Sequence, residues 1–359
     1  MGIFLCLSGI LSFLGVLVIS KKKISQQTAL KIFTCAAFIG LVIFSGCRAL
    51  DVGNDTPMYV RYFNSVDGLH DISKYQNRFE FLFRVFVCAI AQFFDSPHAL
   101  LFISSLVIIF ISFRVIYKNS VTPWYSVLMY IFLMFYYNSM CLMRQYIAVA
   151  LCMVALSYLA EHKWIKFIIF VVAAGLFHTS ALIVLIMLPL MSLPFNKEKK
   201  WWYVVGAVGA ALCIDKLIGF LVRLFPRYAH YLNSEDYYLQ NQIGTVIKII
   251  VWALLFFVVD YVYDRYSDGT YGEKLEYFAA LLGFSISLAS LQGAILSRIS
   301  TYFVIMFCIS IPNALDKLPV RKTKYQLATL IMAGCFAYNM LIFVFRPYWS
   351  GVLPYTFWK

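Results

Sequence analysis

The chain has 359 residues, of which 62% are hydrophobic and only 13% charged, with a mean hydropathy of +0.79. A soluble domain carries roughly 25% charged residues, so a water-soluble globular fold is excluded and an all-α, polytopic membrane protein is expected. The net charge of +13 would suggest nucleic acid in a soluble protein; here the basic residues read as topology signals, and no nucleic-acid partner is expected.

In chain order, apolar runs predict helices over 2–20, 28–46, 99–117, 123–140, 143–160, 164–177, 179–194, 201–222, 246–263, 276–292, 298–315 and 326–345. That makes about twelve spans of ~20 residues each. The first run lacks a basic leader and a small-residue cleavage site, so it reads as a retained helix. No linker or repeat interrupts the chain, so residues 1–359 are read as one integral-membrane domain. The run 79–94 is short and carries Glu80 and Arg84 near one end. We read it as a re-entrant or interfacial helix; the alternative, in which it spans as a thirteenth helix, would put Lys21–Lys23 outside.

Short basic loops prefer the cytoplasm. Placing Lys21–Lys23, Lys118, Lys163 with Lys166, Lys197 with Lys199 and Lys200, Arg265 with Lys274, and Lys317 with Arg321, Lys322 and Lys324 there puts both termini outside. It also gathers the costly polar residues at the external face: Arg48, Asp51, Asp55, Tyr59, Arg84, Arg144, His178 and Arg298, with the loop 223–245 and the C-terminal tail.

Charges at or within a bilayer are expensive and usually serve a cavity or a partner. Arg144, followed by Gln145, opens a helix; it either snorkels to headgroups or grips phosphate oxygens with its planar fork. His178 lies between two apolar runs and is either a hydrogen-bonded structural residue or an acid–base group. Asp51 and Asp55 flank Gly53 and Asn54; a cap explains one carboxylate, while a general base would use the other. Glu80 and Arg84, one turn apart, either simply pair, or Arg84 joins the arginines Arg48, Arg144 and Arg298 around an anion such as a diphosphate. Aromatics of the loop 223–245 and of the tail read as an interfacial belt. The nine cysteines stand singly. There is no phosphate-binding loop, metalloprotease motif or nucleophile elbow in the sequence, and no metal or cofactor is expected.

In order along the chain stand Gly53-Asn54-Asp55-Thr56-Pro57-Met58-Tyr59, then Glu80-Phe81-Leu82-Phe83, then Asn138 with Arg144-Gln145. Phe177-His178-Thr179-Ser180-Ala181, Arg298 to Tyr302, and Pro354-Tyr355 follow. This ordered set resembles the EpsG/Wzy-like family of bacterial polysaccharide polymerases along essentially the whole chain. One departure is Thr56, where the family often carries tyrosine.

The resemblance implies a GT-C-like glycosyltransferase that joins oligosaccharide repeat units at the outer face of the cytoplasmic (inner) membrane. Donor and acceptor would both be carried on undecaprenyl diphosphate, and the product would be O-antigen, capsule or exopolysaccharide. It further implies Asp55, Asp51 and His178 as catalytic candidates and Arg144, Gln145, Arg298, Arg48 and Arg84 as diphosphate ligands. Tyr59, Glu80, Tyr302 and Tyr355 would contact glycan, and a chain-length regulator would be a partner. A flippase for the same lipid-linked sugar and a polytopic glycan acyltransferase are the alternatives.

Overall fold

The computed structural model describes residues 25–195, 197–213 and 242–358, together with residues 9 and 15. The expected first helix therefore lies outside the described residues, as do 214–222 of the run 201–222 and most of the loop 223–245. The described residues are helical, with a single isolated bridge between Arg48 and Phe357. They divide into two compact units: Met1–Ser157, Ile165–Leu182 and Ala328–Lys359 form the first, and Tyr158–Trp164 with Ile183–Leu327 the second.

In the first unit, α1 (Gln26–Gly46) starts where the Ser25 hydroxyl accepts the Thr28 N–H at 3.2 Å. Its 21 residues rise ~31 Å, about the thickness of a bilayer core. The short helices α2 (Thr56–Phe63) and α3 (Phe81–Ala91) precede α4 (Pro97–Asn119). At eleven residues α3 rises only ~16 Å and cannot span. Pro97 at the head of α4 has no N–H to leave unpaired, and Ser96 caps the helix at His98 N. α1 and α4 pack through edge-on contacts of Phe38 with Phe110 and Phe113, and through a Ser45–Ser105 hydroxyl pair at 2.7 Å.

The expected helix 123–140 is two helices, α5 (Pro123–Phe132) and α6 (Phe135–Cys141), broken at Met134, whose φ is +69°. α7 (Met143–Ala160) and α8 (Trp164–Phe177) match their predicted bounds. The next run is not one α-helix: Thr179–Ile186 is 3-10, and only α9 (Met187–Ser192) is α-helical.

The second unit contains α9, α10 (Lys197–Leu212), α11 (Gln242–Tyr266), α12 (Tyr271–Ala289), α13 (Ala294–Val304) and α14 (Phe307–Asp316). α12 opens with a capping box in which Thr270 and Glu273 satisfy each other's backbone N–H. Two of this unit's lysines are met by acids: Lys200, in the first turn of α10, lies 2.9 Å from Asp260 and 3.3 Å from Asp264, and Lys317 pairs with Asp268 at 2.6 Å and with Glu273. The last helix, α15 (Arg321–Phe345), begins in the second unit and ends in the first.

Among the described residues six stretches are long and apolar enough to cross a membrane: α1, α4, α7, α11, α13 with α14, and α15. The chain is thus a multi-pass helical protein. The remaining expected spans are shorter, broken, more charged or outside the described residues.

Candidate functional site

The turn before α2 is shaped by Gly53, whose φ is +100°. A Cβ there would lie 2.7 Å from Thr56 Oγ1 and 2.9 Å from the Met140 carbonyl oxygen, so only glycine fits this close approach. Asp55 stands at the N-cap position of α2, yet its carboxylate makes no capping bond. It is half-buried, whereas Asp51 is exposed. Thr56, the departure from the family pattern, donates its hydroxyl to the Val52 carbonyl at 2.8 Å.

Arg48, expected among the diphosphate ligands, is committed here to the protein's own backbone. It is 1% exposed, donates to the carbonyls of Val52 (3.2 Å), Met140 (2.9 Å) and Ser45, and reaches the Ser105 hydroxyl at 3.4 Å. Burial pulls its pKa down to about 10, which leaves it charged at neutral pH. The guanidinium is occupied in joining α1, the glycine turn, α4 and α6. Arg84 donates through Nη1 to the Ile72 carbonyl, leaves its buried Nε–H without a partner, and does not pair with Glu80.

Glu80 instead gathers residues far apart in sequence. It precedes the first residue of α3 and does not cap that helix. Its Oε2 accepts from Arg144 Nη1 at 2.6 Å. Its Oε1 accepts from the Thr179 N–H at 3.1 Å and the Thr179 hydroxyl at 3.3 Å, and lies 3.3 Å from His178 Nδ1, off the line of an ideal hydrogen bond. Burial raises the pKa of Glu80, but the His178 contact, the Arg144 charge and the Thr179 N–H outweigh it and hold the carboxyl at about 2. Glu80 and Arg144 are each 18% exposed and His178 21% exposed, so the cluster meets the surface.

Each partner is placed by its local fold. Arg144 stands in the first turn of α7, donates also to the Arg78 carbonyl at 3.3 Å, and lies 5.3 Å from the centre of the Phe79 ring. Phe79 packs in turn on Tyr62 at 4.8 Å and Tyr59 at 6.3 Å. His178 closes α8 through its N–H to the Ala174 carbonyl at 2.8 Å, just where the chain turns 3-10. The Nε–H of Arg144 is buried with no hydrogen-bond partner. Tyr59, on α2, is close enough to feel both Arg144 and Asp55; burial raises its pKa, and Arg144 opposes the shift.

The structure therefore joins Glu80, Arg144 and His178, with Tyr59 and Asp55 adjoining. Gln145 follows on α7 and is buried. Arg298 is exposed on α13 in the second unit. Tyr59 and Tyr302, expected against glycan, are 2% and 0% exposed, which leaves their rings no face for a sugar. Tyr355 donates its hydroxyl to the Phe44 carbonyl and anchors the tail. Phe79 and Thr179 were not among the expected site residues; their adjacency to Glu80 and His178 is the signal that could have found them. No cluster of His, Cys, Asp or Glu with metal-binding spacing occurs among the described residues.

A membrane-embedded helical scaffold that presents an Arg–Glu–His cluster at its surface defines a class: a multi-pass integral-membrane protein with a polar site. The chain belongs to the EpsG family, whose model matches residues 31–357. That membership ties it to polysaccharide polymerase-like membrane proteins. No curated protein and no solved structure matches it.

Proposed function

We propose that this protein is a polysaccharide polymerase that joins undecaprenyl-diphosphate-linked oligosaccharide repeat units at the external face of the bacterial cytoplasmic membrane. Family membership supports the reaction class. The observation that carries the site assignment is the buried, unpartnered Nε–H of Arg144 beside Glu80 and His178. A buried donor without an acceptor costs ~1–3 kcal/mol. A phosphate oxygen of the substrate is the acceptor that would recover it.

In this reading an acceptor hydroxyl attacks the anomeric carbon of the donor glycan. The bond from that carbon to the diphosphate oxygen breaks as the new glycosidic bond forms, and undecaprenyl diphosphate leaves. Arg144 meets the charge that develops on the leaving oxygen. His178 takes the acceptor proton, with Asp55 as the second candidate. Direct displacement inverts the anomeric centre.

The test is extension of a synthetic undecaprenyl-diphosphate repeat unit by the purified chain in lipid nanodiscs, read as a ladder of lengthened glycans. Movement of the lipid-linked sugar across liposomes without any lengthening would instead establish the flippase alternative.

A further inference from the structure

We propose that Glu80 is a positioning residue, tying Arg144 to His178 and turning the imidazole so that its Nε2 takes the acceptor proton. The inference rests on the polymerase reading for its chemistry, but its geometry stands apart from it. Both carboxylate oxygens are spent away from α3, whose start they could have capped. One binds the first turn of α7 and the other binds the junction after α8, so a single side chain sets the spacing of the two groups.

Glu80 itself is a poor base. Held at a pKa of about 2, it stays ionised and has little tendency to take a proton at neutral pH. Its Oε1 instead lies 3.3 Å from His178 Nδ1, close enough for a charge contact though off the line of an ideal hydrogen bond. A carboxylate facing Nδ1 favours the neutral tautomer that carries its proton there, which leaves the Nε2 lone pair for the substrate. Arg144 is the other charged group bound to this carboxylate, through Nη1. Glu80 thus fixes a base and an anion-binding guanidinium at a set separation before substrate arrives, which lowers the entropic cost of assembling them.

The experiment compares the full chain with Glu80→Gln in nanodiscs. It uses glycan extension for kcat and KM and nitrogen-15 NMR of the histidines for the tautomer, with His178→Asn identifying the resonance. Glutamine keeps the size and an acceptor for the Thr179 N–H but removes the charge. We expect kcat to fall ~10²-fold or more, as for loss of a general base, with a smaller change in KM. The His178 proton should move from Nδ1 toward Nε2. Wild-type turnover in Glu80→Gln, or an unchanged tautomer, overturns the proposal.

If the glutamine variant does not fold, Glu80→Asp takes its place, one methylene too short to reach both partners. The same loss of kcat and the same tautomer shift are expected of it, and wild-type turnover or an unchanged tautomer again overturns the proposal. If the wild-type chain lengthens no glycan, the polymerase reading fails, while the tautomer measurement still decides the role of Glu80.

Discussion

The side-chain amide of Asn54 donates to two successive carbonyls of the C-terminal tail, Tyr348 at 3.1 Å and Trp349 at 3.0 Å. The tail answers with its own contacts: Gly53 N–H to the Gly351 carbonyl at 2.8 Å, Ala49 N–H to Thr356 at 3.0 Å, and Trp358 N–H to Cys47 at 2.8 Å. Trp358 also stacks on His98 at 4.1 Å. Gly351 has φ +60°, and a Cβ on it would fall 2.1 Å from Asn54 Oδ1. We expect Asn54→Ala to cost about 1 kcal/mol, because the bonds are solvent-exposed. Gly351→Ala should cost more, through backbone strain and displacement of Asn54. The two act on one contact, so the double variant should lose less than the sum, read by thermal unfolding in detergent. Strict additivity would show that the tail is held elsewhere.

Arg48→Lys should lower stability by roughly 2–3 kcal/mol, since a lysine leaves several buried carbonyls without a donor. Turnover per folded molecule should stay near wild type. A variant that folds normally and loses substrate affinity would return Arg48 to the diphosphate site.

Arg144→Lys keeps the charge but loses the planar fork. Glycan extension should fall ~10²-fold, the scale seen when one donor to a developing anion is removed. Cells carrying the variant should accumulate single repeat units on the lipid carrier. Normal chain lengths would remove Arg144 from the reaction.

The depressed pKa of Glu80 also predicts a pH dependence. Its ordinary value is 4.5 and its folded value about 2, so its contribution to stability is complete above the ordinary value and lost as pH falls through the folded one. Glu80→Gln lacks this step. The gap in unfolding temperature between wild type and variant should therefore be widest near neutral pH and close between about pH 5 and pH 2. A gap that is constant over that range would mean the charge of Glu80 does not stabilise the fold.

Periodicity and hydropathy made most helices legible, and the bounds of α7 and α8 coincide with the predicted ones. The break at Met134 was hidden because residues 124–140 contain no glycine or proline to mark it. The left-handed residue is supported from a distance: Asn339, on α15, donates to the Met134 sulfur at 3.0 Å and to the Ile131 carbonyl at 3.4 Å. Motif order named Glu80, Arg144 and His178, but helical spacing pointed Glu80 toward Arg84. Because α3 begins only at Phe81, Glu80 is not on a helical face and turns to the other two. Arg48 shows a related ambiguity: a buried arginine that serves backbone carbonyls and an arginine that awaits an anion look alike in sequence.

The grip of the tail on the turn at Gly53 and Asn54 also constrains how the protein is made. Residues 47–54 leave the ribosome long before residues 348–358 that complete their backbone pairing. Until those late residues emerge, the backbone at the head of α2 lacks these partners. Completion of the first unit therefore waits for translation to pass residue 358. A chain halted earlier would carry the motifs of the site on an unfinished support, open to quality-control proteases.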